Sequence, residues 1–339
     1  MVSGQLRVAF LLDQITWFVV ILVLAMNMSY AGEVTDRLSL IEEEDGITVL
    51  IDGELFTRYL ISSGSRPAMW PIIGPTGEEM TRAFPIAAAR KGEQKDHVHH
   101  RSLWIGYEGL NGNDYWHEKE KGVIRPFSIG VVRHRAFTTV RSEGESARIV
   151  AKNDWLDDDG KLVCTDTRTL QFGGDSDQRW IDCLIELEAA AGPLRIGDSK
   201  EGFFALRVAP TMRVDAGHGG QIVTSSGKVD AEAWSQRAEW VDYHGSIAGE
   251  TVGIAVLCHP SSFEPAPRWH VRTYGLLAAN PFGERAFTDS DSDVTQRPLK
   301  MTIPADESIS FRYRVILHRG DAMQSRIAEL NDRYSAEDI

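Results

Sequence analysis

LVCTDTRTLQF (162–172) and RWIDCLIELEA (179–189) flank the turn-rich segment GGDSDQ (173–178). Apolar and polar residues alternate in both, the period-two pattern of a strand with one buried face. Pairing Phe172 with Arg179 separates the two kinds of side chain. The apolar face then holds Leu162, Cys164, Leu170, Phe172, Ile181, Cys183, Ile185 and Leu187. The segment predicts an antiparallel hairpin in a sheet that is buried on one side.

Thiols and charges also fall on this apolar face. The pairing separates Cys164 from Cys183 by about 13 Å along the ladder, whereas a disulfide needs Cα atoms within about 7 Å. We therefore expect both to be buried free thiols, and Cys258 has no obvious partner. Asp166 and Arg168 either form an internal ion pair or line a ligand cleft, with Arg168 reaching into it.

Similar apolar runs recur along the chain and predict an all-β fold. They span residues 38–41, 47–51, 56–61, 127–132, 147–151, 203–214, 251–257, 269–276 and 309–318. Helical periodicity is convincing only over 321–334, where Met323, Ile327 and Leu330 share a face. We predict one large two-sheet antiparallel β-sandwich over residues 32–339, with a short C-terminal helix.

The N-terminal segment indicates export. ITWFVVILVLAM (15–26) is continuously apolar but shorter than the ~20 residues of a membrane span. Ser29-Tyr30-Ala31 is a small-x-small triplet of the kind that signal peptidase cuts. We predict a signal peptide over residues 1–31 and a periplasmic or secreted protein. Because Arg7 is the only cation before the apolar run, an uncleaved anchor is the alternative, and it would be the protein's sole membrane contact.

The overall charge restricts the partners. The formal net charge is −13, and nucleic-acid recognition depends on Lys and Arg that contact phosphates. We therefore expect no nucleic-acid partner. A carbohydrate or another small polar ligand is compatible with this charge.

A histidine cluster, DHVHHRSLW (96–104), is the strongest functional signal. It holds three of the ten histidines, and histidine both transfers protons near neutral pH and binds metals. His97 and His99 would lie on one strand face, where His100 or Glu201 could complete a ligand set for Zn, Cu or Fe. A proton-transfer site and a solvated polar loop are the alternatives.

Three other blocks combine polar and aromatic residues. NDYWH (113–117) contains Trp116 and His117, and KEGFFALR (200–207) places a glutamate at the mouth of a strand, a suitable position for a general base. RWH (268–270) is followed by YGLLAANPFG (274–283). We predict that the blocks converge on one cleft. The predicted catalytic residues are His99, His100, Glu201 and His270. The predicted substrate-binding residues are His97, Arg101, Trp104, Trp116, His117, Arg207, Trp269 and Asn280.

These four blocks resemble a family of secreted bacterial proteins that is often labelled the methane oxygenase PmoA family or a domain of unknown function. The resemblance runs over most of the chain after the N-terminal segment. The label implies a subunit of a membrane copper monooxygenase, from which this sequence departs because no later segment is apolar enough to span a bilayer. The family's β-rich character is similar to the galactose mutarotase-like supersandwich, which implies that His and Glu side chains on a broad sheet handle carbohydrate.

Three classes of function follow. The first is an enzyme acting on a sugar or glycoside (a hydrolase, lyase or epimerase), with Glu201 as base and His99, His100 or His270 as acid. It requires no cofactor, although a divalent metal could take part. The second is a non-catalytic sugar-binding module that stacks tryptophans on the ligand, with Trp269 in the core as the competing interpretation. The third is a metalloprotein that uses His97, His99 and His100.

Overall fold

The computed structural model describes residues 37–289 and 293–337. The predicted signal peptide or anchor, residues 1–31, lies outside this part of the chain. None of the helices in the described residues is long and apolar enough to cross a membrane.

The described residues form twenty strands, two short α-helices and five 3-10 turns. The strands are β1 (Leu38–Glu43), β2 (Gly46–Ile51), β3 (Glu54–Ser63), β4 (Arg66–Ile72), β5 (Leu103–Leu110), β6 (Asn113–Asp114), β7 (Ser128–Ile129), β8 (Val131–Glu143), β9 (Ser146–Leu156), β10 (Leu162–Gly174), β11 (Gln178–Glu188), β12 (Leu194–Gly197), β13 (Gly202–Arg207), β14 (Gln221–Thr224), β15 (Trp240–Ile247), β16 (Glu250–Cys258), β17 (Arg268–Val271), β18 (Leu276–Asn280), β19 (Leu299–Ile303) and β20 (Ser308–Arg319). The helices are α1 (Arg285–Thr288) and α2 (Ile327–Ser335), and the 3-10 turns are Pro210–Met212, Val214–Ala216, Asp230–Ala233, Pro260–Ser262 and Val294–Gln296.

The strands form two sheets. The front sheet has the order β1-β2-β3-β4-β5-β13-β18-β17, with β6, β7, β12 and β19 attached beside β5. The back sheet has the order β14-β15-β16-β20-β11-β10-β9-β8. Neighbouring strands are antiparallel except for the two-residue pair β6 and β7. The prediction of an all-β, two-sheet antiparallel sandwich with a short C-terminal helix is confirmed.

The front sheet separates the core from the functional face. In β5, Leu103 and Ile105 belong to the main core, which also includes residues of the back sheet. Trp104, the residue between them, belongs to a separate small cluster with Ala205 of β13 and Ala278 of β18. Because side chains alternate along a strand, this second cluster lies on the outer face of the front sheet. The histidine-rich loops pack over that face.

The hairpin of β10 and β11 has a different register from the predicted one. Phe172 pairs with Ile181 instead of Arg179, and Arg179 pairs with Gly174. The strands therefore continue through both glycines, and Asp175 closes a tighter turn by accepting hydrogen bonds from the backbone N–H groups of residues 177 and 178. The shift is two residues. An even shift keeps every side chain on its predicted face.

The new register moves the two thiols further apart. Cys183 lies opposite Leu170, six positions from Cys164, or about 20 Å at ~3.3 Å per residue. All three cysteines are buried and free. On the same face, Arg168 Nη2 donates to Asp166 Oδ2 at 2.8 Å, with both side chains buried. Of the two alternatives for Asp166 and Arg168, an internal ion pair and a ligand cleft, the structure shows the ion pair.

Several predicted elements have different boundaries. The run at 203–214 ends as a strand at Arg207, before Pro210 begins a 3-10 turn. The run at 269–276 is divided between β17 and β18 by a turn in which Gly275 has φ +103°. Strand β5 was missed, because all eight of its residues are buried and its sequence therefore lacks alternation. Helix α2 begins at Ile327, so the predicted helix over 321–334 starts too early, and the 82% exposed Met323 lies before it instead of sharing a helical face with Ile327 and Leu330.

Candidate functional site

A cavity of about 360 Å³ opens on the outer face of the front sheet. It is lined by His97, His99, His100, His117, Arg125, Lys200, Glu201, His270, Arg272 and Tyr274. The volume is in the range of small-molecule sites. We call this the histidine cavity. It brings together residues from all four sequence blocks, including the four predicted catalytic residues.

The loop before β5 holds three of the cavity histidines in a turn. His97 has φ +42°, and its carbonyl accepts a hydrogen bond from the His100 backbone N–H at 2.9 Å. The prediction that His97 and His99 share a strand face is therefore wrong. The turn instead brings the His97 ring into stacked contact with both His100 and Tyr274, with ring centroids 4.7 and 5.2 Å away. His99 projects toward His117, with ring centroids 4.6 Å apart.

Arg207 fixes the tautomer of His100. Its Nη1 lies 3.0 Å from His100 Nδ1, and because a guanidinium only donates, Nδ1 accepts and the ring proton lies on Nε2. Burial, followed by the charges of His99 and Arg207, lowers the pKa of His100 well below its usual value. The ring is therefore neutral at pH 7. Arg207 itself lies behind His100, where it also bonds Asp96 at 3.2 Å and stacks on Tyr274.

His270 has the opposite tautomer. Its Nδ1 lies 3.0 Å from the carbonyl oxygen of Lys200, which only accepts, so Nδ1 carries the proton and Nε2 has the lone pair. The same Nδ1 is 3.6 Å from Glu201 Oε2. Burial lowers the pKa of His270 to about 4, although Glu201 raises it. His270 is therefore a neutral ring in contact with a carboxylate.

Residues beneath the cavity position Glu201. Its backbone N–H donates to Ser199 Oγ at 3.1 Å, and this hydroxyl donates to Glu108 Oε2 at 2.6 Å. Asn280 Nδ2 donates to the Ser199 carbonyl at 2.9 Å, while its Oδ1 accepts from the backbone N–H of Phe282. Asn280 is buried and holds the loop before β13. It is a positioning residue here, not a cavity-lining one.

Asp114 positions His117. Its Oδ2 lies 2.8 Å from His117 Nδ1, so His117 donates through Nδ1 and directs its Nε2 lone pair elsewhere. The other carboxylate oxygen accepts from the backbone N–H groups of Trp116 and His117. Burial alone would raise the pKa of Asp114. The hydrogen bond from His117 and the other contacts have a larger, opposite effect, so the pKa is lower than its usual value. Asp114 is therefore a buried carboxylate that remains ionised.

Glu108 is a second buried carboxyl group beside this pair. Burial raises its pKa to about 7, against the lowering effect of the Ser199 hydrogen bond. Glu108, Asp114 and His117 each offer a ligand atom within 4.8 Å of the others. Among the described residues, they form the one set of three that meets this criterion. The predicted set His97, His99 and His100 does not.

The remaining predicted substrate-binding residues lie outside the cavity lining. Trp104 and Trp116 are 1% and 0% exposed and form the floor under the histidines. Trp269 is in the main core, where its Nε1 donates to the Ala238 carbonyl. This is the core-packing alternative. Arg101 donates to Glu118 at 3.1 Å on one side of the loop.

Sequence reasoning did not select five residues that shape the site. Arg125, Lys200, Arg272 and Tyr274 line the cavity, and Glu108 lies under it. Glu108 had a recognisable signal, because it is the one charged residue in the apolar strand LWIGYEGL. Lys200 and Tyr274 are the first residues of the blocks KEGFFALR and YGLLAANPFG, and Arg272 lies two residues after RWH. Arg125 lies in a polar loop and had no signal.

The chain belongs to a family of unknown function (DUF6807), whose model matches residues 46–332. No curated protein matches it.

Several solved structures show a remote likeness. One is a glycoside hydrolase family 97 enzyme from Pseudoalteromonas sp. strain K8, with 8% identity and a TM-score of 0.35, covering 84% of this chain and 34% of that chain. This chain thus spans about a third of that enzyme's length. Another is galactose 1-epimerase from Lactobacillus acidophilus NCFM, with 8% identity and a TM-score of 0.35, covering 84% and 100% of the two chains. A galactose mutarotase related enzyme from Lactobacillus acidophilus has 10% identity and a TM-score of 0.33, with 83% and 97% coverage. At these TM-scores, no likeness identifies the activity of this chain.

Proposed function

We propose that this protein is an enzyme that acts on a sugar or glycoside by acid–base chemistry in the histidine cavity. The observation that carries the proposal is the contact between Glu201 and His270, at 3.6 Å, in a cavity that also contains His100. Groups whose environments separate their proton affinities are the usual components of such a site. Here the Glu201 carboxylate lies beside the neutral ring of His270, and the neutral ring of His100 in the same cavity has the opposite tautomer.

Glu201 is assigned as the general base. Its side chain is 19% exposed, so it can contact a ligand while remaining held by the Ser199 loop. It would take a proton from a sugar hydroxyl. His270 lies beside it with a lone pair on Nε2 and can accept a hydrogen bond from a second hydroxyl.

His100 is assigned as the proton donor. Its Nε2 proton would move toward the oxygen of the bond that breaks, as Glu201 removes a proton elsewhere on the sugar. Arg207 donates to Nδ1 of the same ring and would stabilise the negative charge that develops there. Reversal of both transfers restores the two groups. The charge of the site is therefore unchanged over a cycle.

Two features of the cavity argue against a two-carboxylate glycosidase and against a sugar-binding module. Glycosidases that use two carboxyl groups place both beside the sugar, whereas Glu201 is the one carboxylate in the cavity lining. This favours an epimerase, in which both proton transfers are reversed, over such a hydrolase. A sugar-binding module would present tryptophan faces to the ligand, but Trp104 and Trp116 are buried under the histidines.

The test is Glu201→Gln, which keeps the shape of the side chain and removes the base. We expect turnover of the cognate sugar to fall by about 10²–10⁴-fold, with ligand affinity changed by less than about threefold. Glu232→Gln is the matched control, because Glu232 is 76% exposed and lies outside the cavity. Turnover that survives in Glu201→Gln would contradict the proposal. Unchanged binding without any turnover in the wild type would favour the binding module.

A metal-assisted form of this chemistry is the second candidate. The observation that favours it is the set Glu108, Asp114 and His117, with ligand atoms within 4.8 Å of one another. Elemental analysis of the purified protein is the test. A stoichiometric divalent metal that is lost in His117→Ala supports this candidate, and a metal-free protein with full turnover contradicts it.

We also propose that the protein is exported, on the basis of the apolar run and the small-x-small triplet near its N-terminus. Sequencing the N-terminus of the mature protein tests this. A protein that begins at Gly32 supports cleavage, whereas an intact N-terminus in the membrane fraction supports the anchor.

A further inference from the structure

The cations of the histidine cavity contrast with the charge of the chain. The formal net charge is −13, yet the cavity lining contains Arg125, Lys200 and Arg272 and the single carboxylate of Glu201. An acidic protein gains nothing in solubility from collecting cations at one point. Their position therefore requires a local explanation.

Two of these cations have no acidic partner. Arg125 donates to Glu120 at 3.1 Å, so its charge is largely compensated. Over residues 37–289 and 293–337, neither Lys200 nor Arg272 has a carboxylate oxygen within 4.0 Å. The Arg272 guanidinium instead stacks on Trp234, with Cζ 4.7 Å from the ring centroid. This contact holds the side chain at the cavity while leaving its N–H groups available.

Glu201 does not fully balance these charges. One carboxylate faces two unpaired cations in the same cavity, which leaves an excess of one positive charge. Three of the histidines add no charge at neutral pH, because burial lowers the pKa values of His99, His100 and His270. The charges of Arg272 and Lys200 contribute to the lowering at His270.

We infer that the natural ligand is an acidic sugar, whose carboxylate or phosphate group is bound by Lys200 and Arg272 beside Glu201 and His270. The inference rests on the proposed function for the sugar itself and adds the anionic group. A planar guanidinium held by stacking is suited to bidentate binding of such a group. Lys200 would supply a second, adjustable point charge. The anion would complete the charge balance of the cavity.

The experiment compares sugars that differ only in charge. Binding of D-galacturonate is measured against D-galactose, and D-glucuronate against D-glucose, by calorimetry at low and high salt. A hexose 6-phosphate is included to separate a phosphate from a carboxylate. We expect at least one acidic sugar to bind about tenfold or more tightly than its neutral counterpart, with an affinity that falls as salt rises.

The variants Lys200→Gln and Arg272→Gln should each remove most of this preference. Lys228→Gln is the matched control, because it removes the same charge from a half-exposed side chain outside the cavity. It should leave the preference intact.

The results distinguish this inference from the proposed function. Equal binding of neutral and acidic sugars, a preference that survives in both variants, or no binding of any acidic probe at millimolar concentration would overturn the inference. Turnover of a neutral sugar that depends on Glu201 would preserve the proposed function in each case. Conversely, charge-dependent binding of a uronate with turnover that is insensitive to Glu201→Gln would retain the inference and refute the assignment of the base.

Discussion

The molecule contains two histidine clusters that are built from similar residues and reach opposite electrostatic outcomes. The first is the cavity cluster, which comprises His97, His99, His100, His117 and His270. The second is the back-sheet cluster, which comprises Asp242, His244, His318 and Ser325. Both are largely buried and both include carboxylate contacts. The first cluster lines the histidine cavity of about 360 Å³.

Hydrogen bonds connect every member of the back-sheet cluster. Asp242 Oδ1 and Oδ2 accept from His244 Nδ1 at 2.6 Å and His318 Nε2 at 2.7 Å. The hydroxyl of Ser325 lies 2.7 Å from the other ring nitrogen of His318. Burial by itself lowers the pKa of His244, but the hydrogen bond to Asp242 and its charge raise it above the usual value. These contacts stabilise the charged forms of Asp242 and His244.

The cavity cluster is left partly unsatisfied. His99 Nδ1 is buried without a hydrogen-bond partner in the described residues, and the same is true of the indole N–H groups of Trp104 and Trp116. Burial, together with the nearby His117 and Arg66, lowers the pKa of His99. Unpaired buried polar groups cost stability. The contrast indicates that the back-sheet cluster stabilises the fold, and the unpaired groups of the cavity cluster support its proposed role in binding a ligand at the expense of stability.

Asp242→Ala should produce the largest effect. Removing the carboxylate leaves two buried histidines without their shared acceptor, which should cost about 3–5 kcal/mol in the free energy of unfolding. Urea denaturation measures this. Asp177→Ala is the control, because Asp177 is 79% exposed and lies near the 42% exposed side chain of Arg319 at the surface, so its loss should cost less than about 1 kcal/mol. Equal losses in the two variants would break the comparison between structural and functional clusters.

The pH dependence of stability should distinguish His270 from His244. The pKa of His270 is about 4 in the fold, below its ordinary 6.5. Its stabilising contribution is therefore present above pH 6.5 and is lost as the pH falls from 6.5 toward 4, where the unfolded chain binds the proton first. The full loss corresponds to about 3 kcal/mol.

His244 should behave in the opposite way, because its pKa is raised. Its contribution is present below pH 6.5 and is lost as the pH rises through the folded-state value. Unfolding free energies across this range are compared for the wild type, His270→Gln and His244→Gln. His270→Gln should flatten the decline on the acid side, and His244→Gln should flatten the decline at higher pH. If the unfolding free energy changed with pH in the same way in both variants, the opposite pKa shifts assigned to His270 and His244 would be contradicted.

His99→Leu should produce the smallest change in stability. It replaces a ring that has an unpaired nitrogen with an apolar side chain, so we expect the unfolding free energy to stay constant or rise by up to roughly 1 kcal/mol. Turnover should fall in the same variant. His318→Leu is the matched change in the back-sheet cluster, and it should lower stability by about 1–3 kcal/mol. A loss of stability in His99→Leu as large as that in His318→Leu would remove the distinction between the clusters.

The sequence located most of the cavity but not the back-sheet cluster. DHVHHRSLW is recognisable because its histidines are adjacent in the chain. Asp242 and His318 are 76 residues apart, and each lies in an ordinary apolar strand, so neither attracts notice alone. Trp269 shows the converse. Its position beside His270 suggested a ligand contact, but alternation along β17 directs it into the core.

The sequence by itself determined the all-β class, the faces of the β10–β11 hairpin and the residue types of the site. These properties are local, because period-two alternation and side-chain chemistry act within a few residues. Only the tertiary structure decided the hairpin register, the tautomers of the histidines and the partner of Glu201. Arg207 and His100 are 107 residues apart, and their contact exists because β13 pairs with β5. Such contacts depend on which strands become neighbours, and no local pattern encodes that choice.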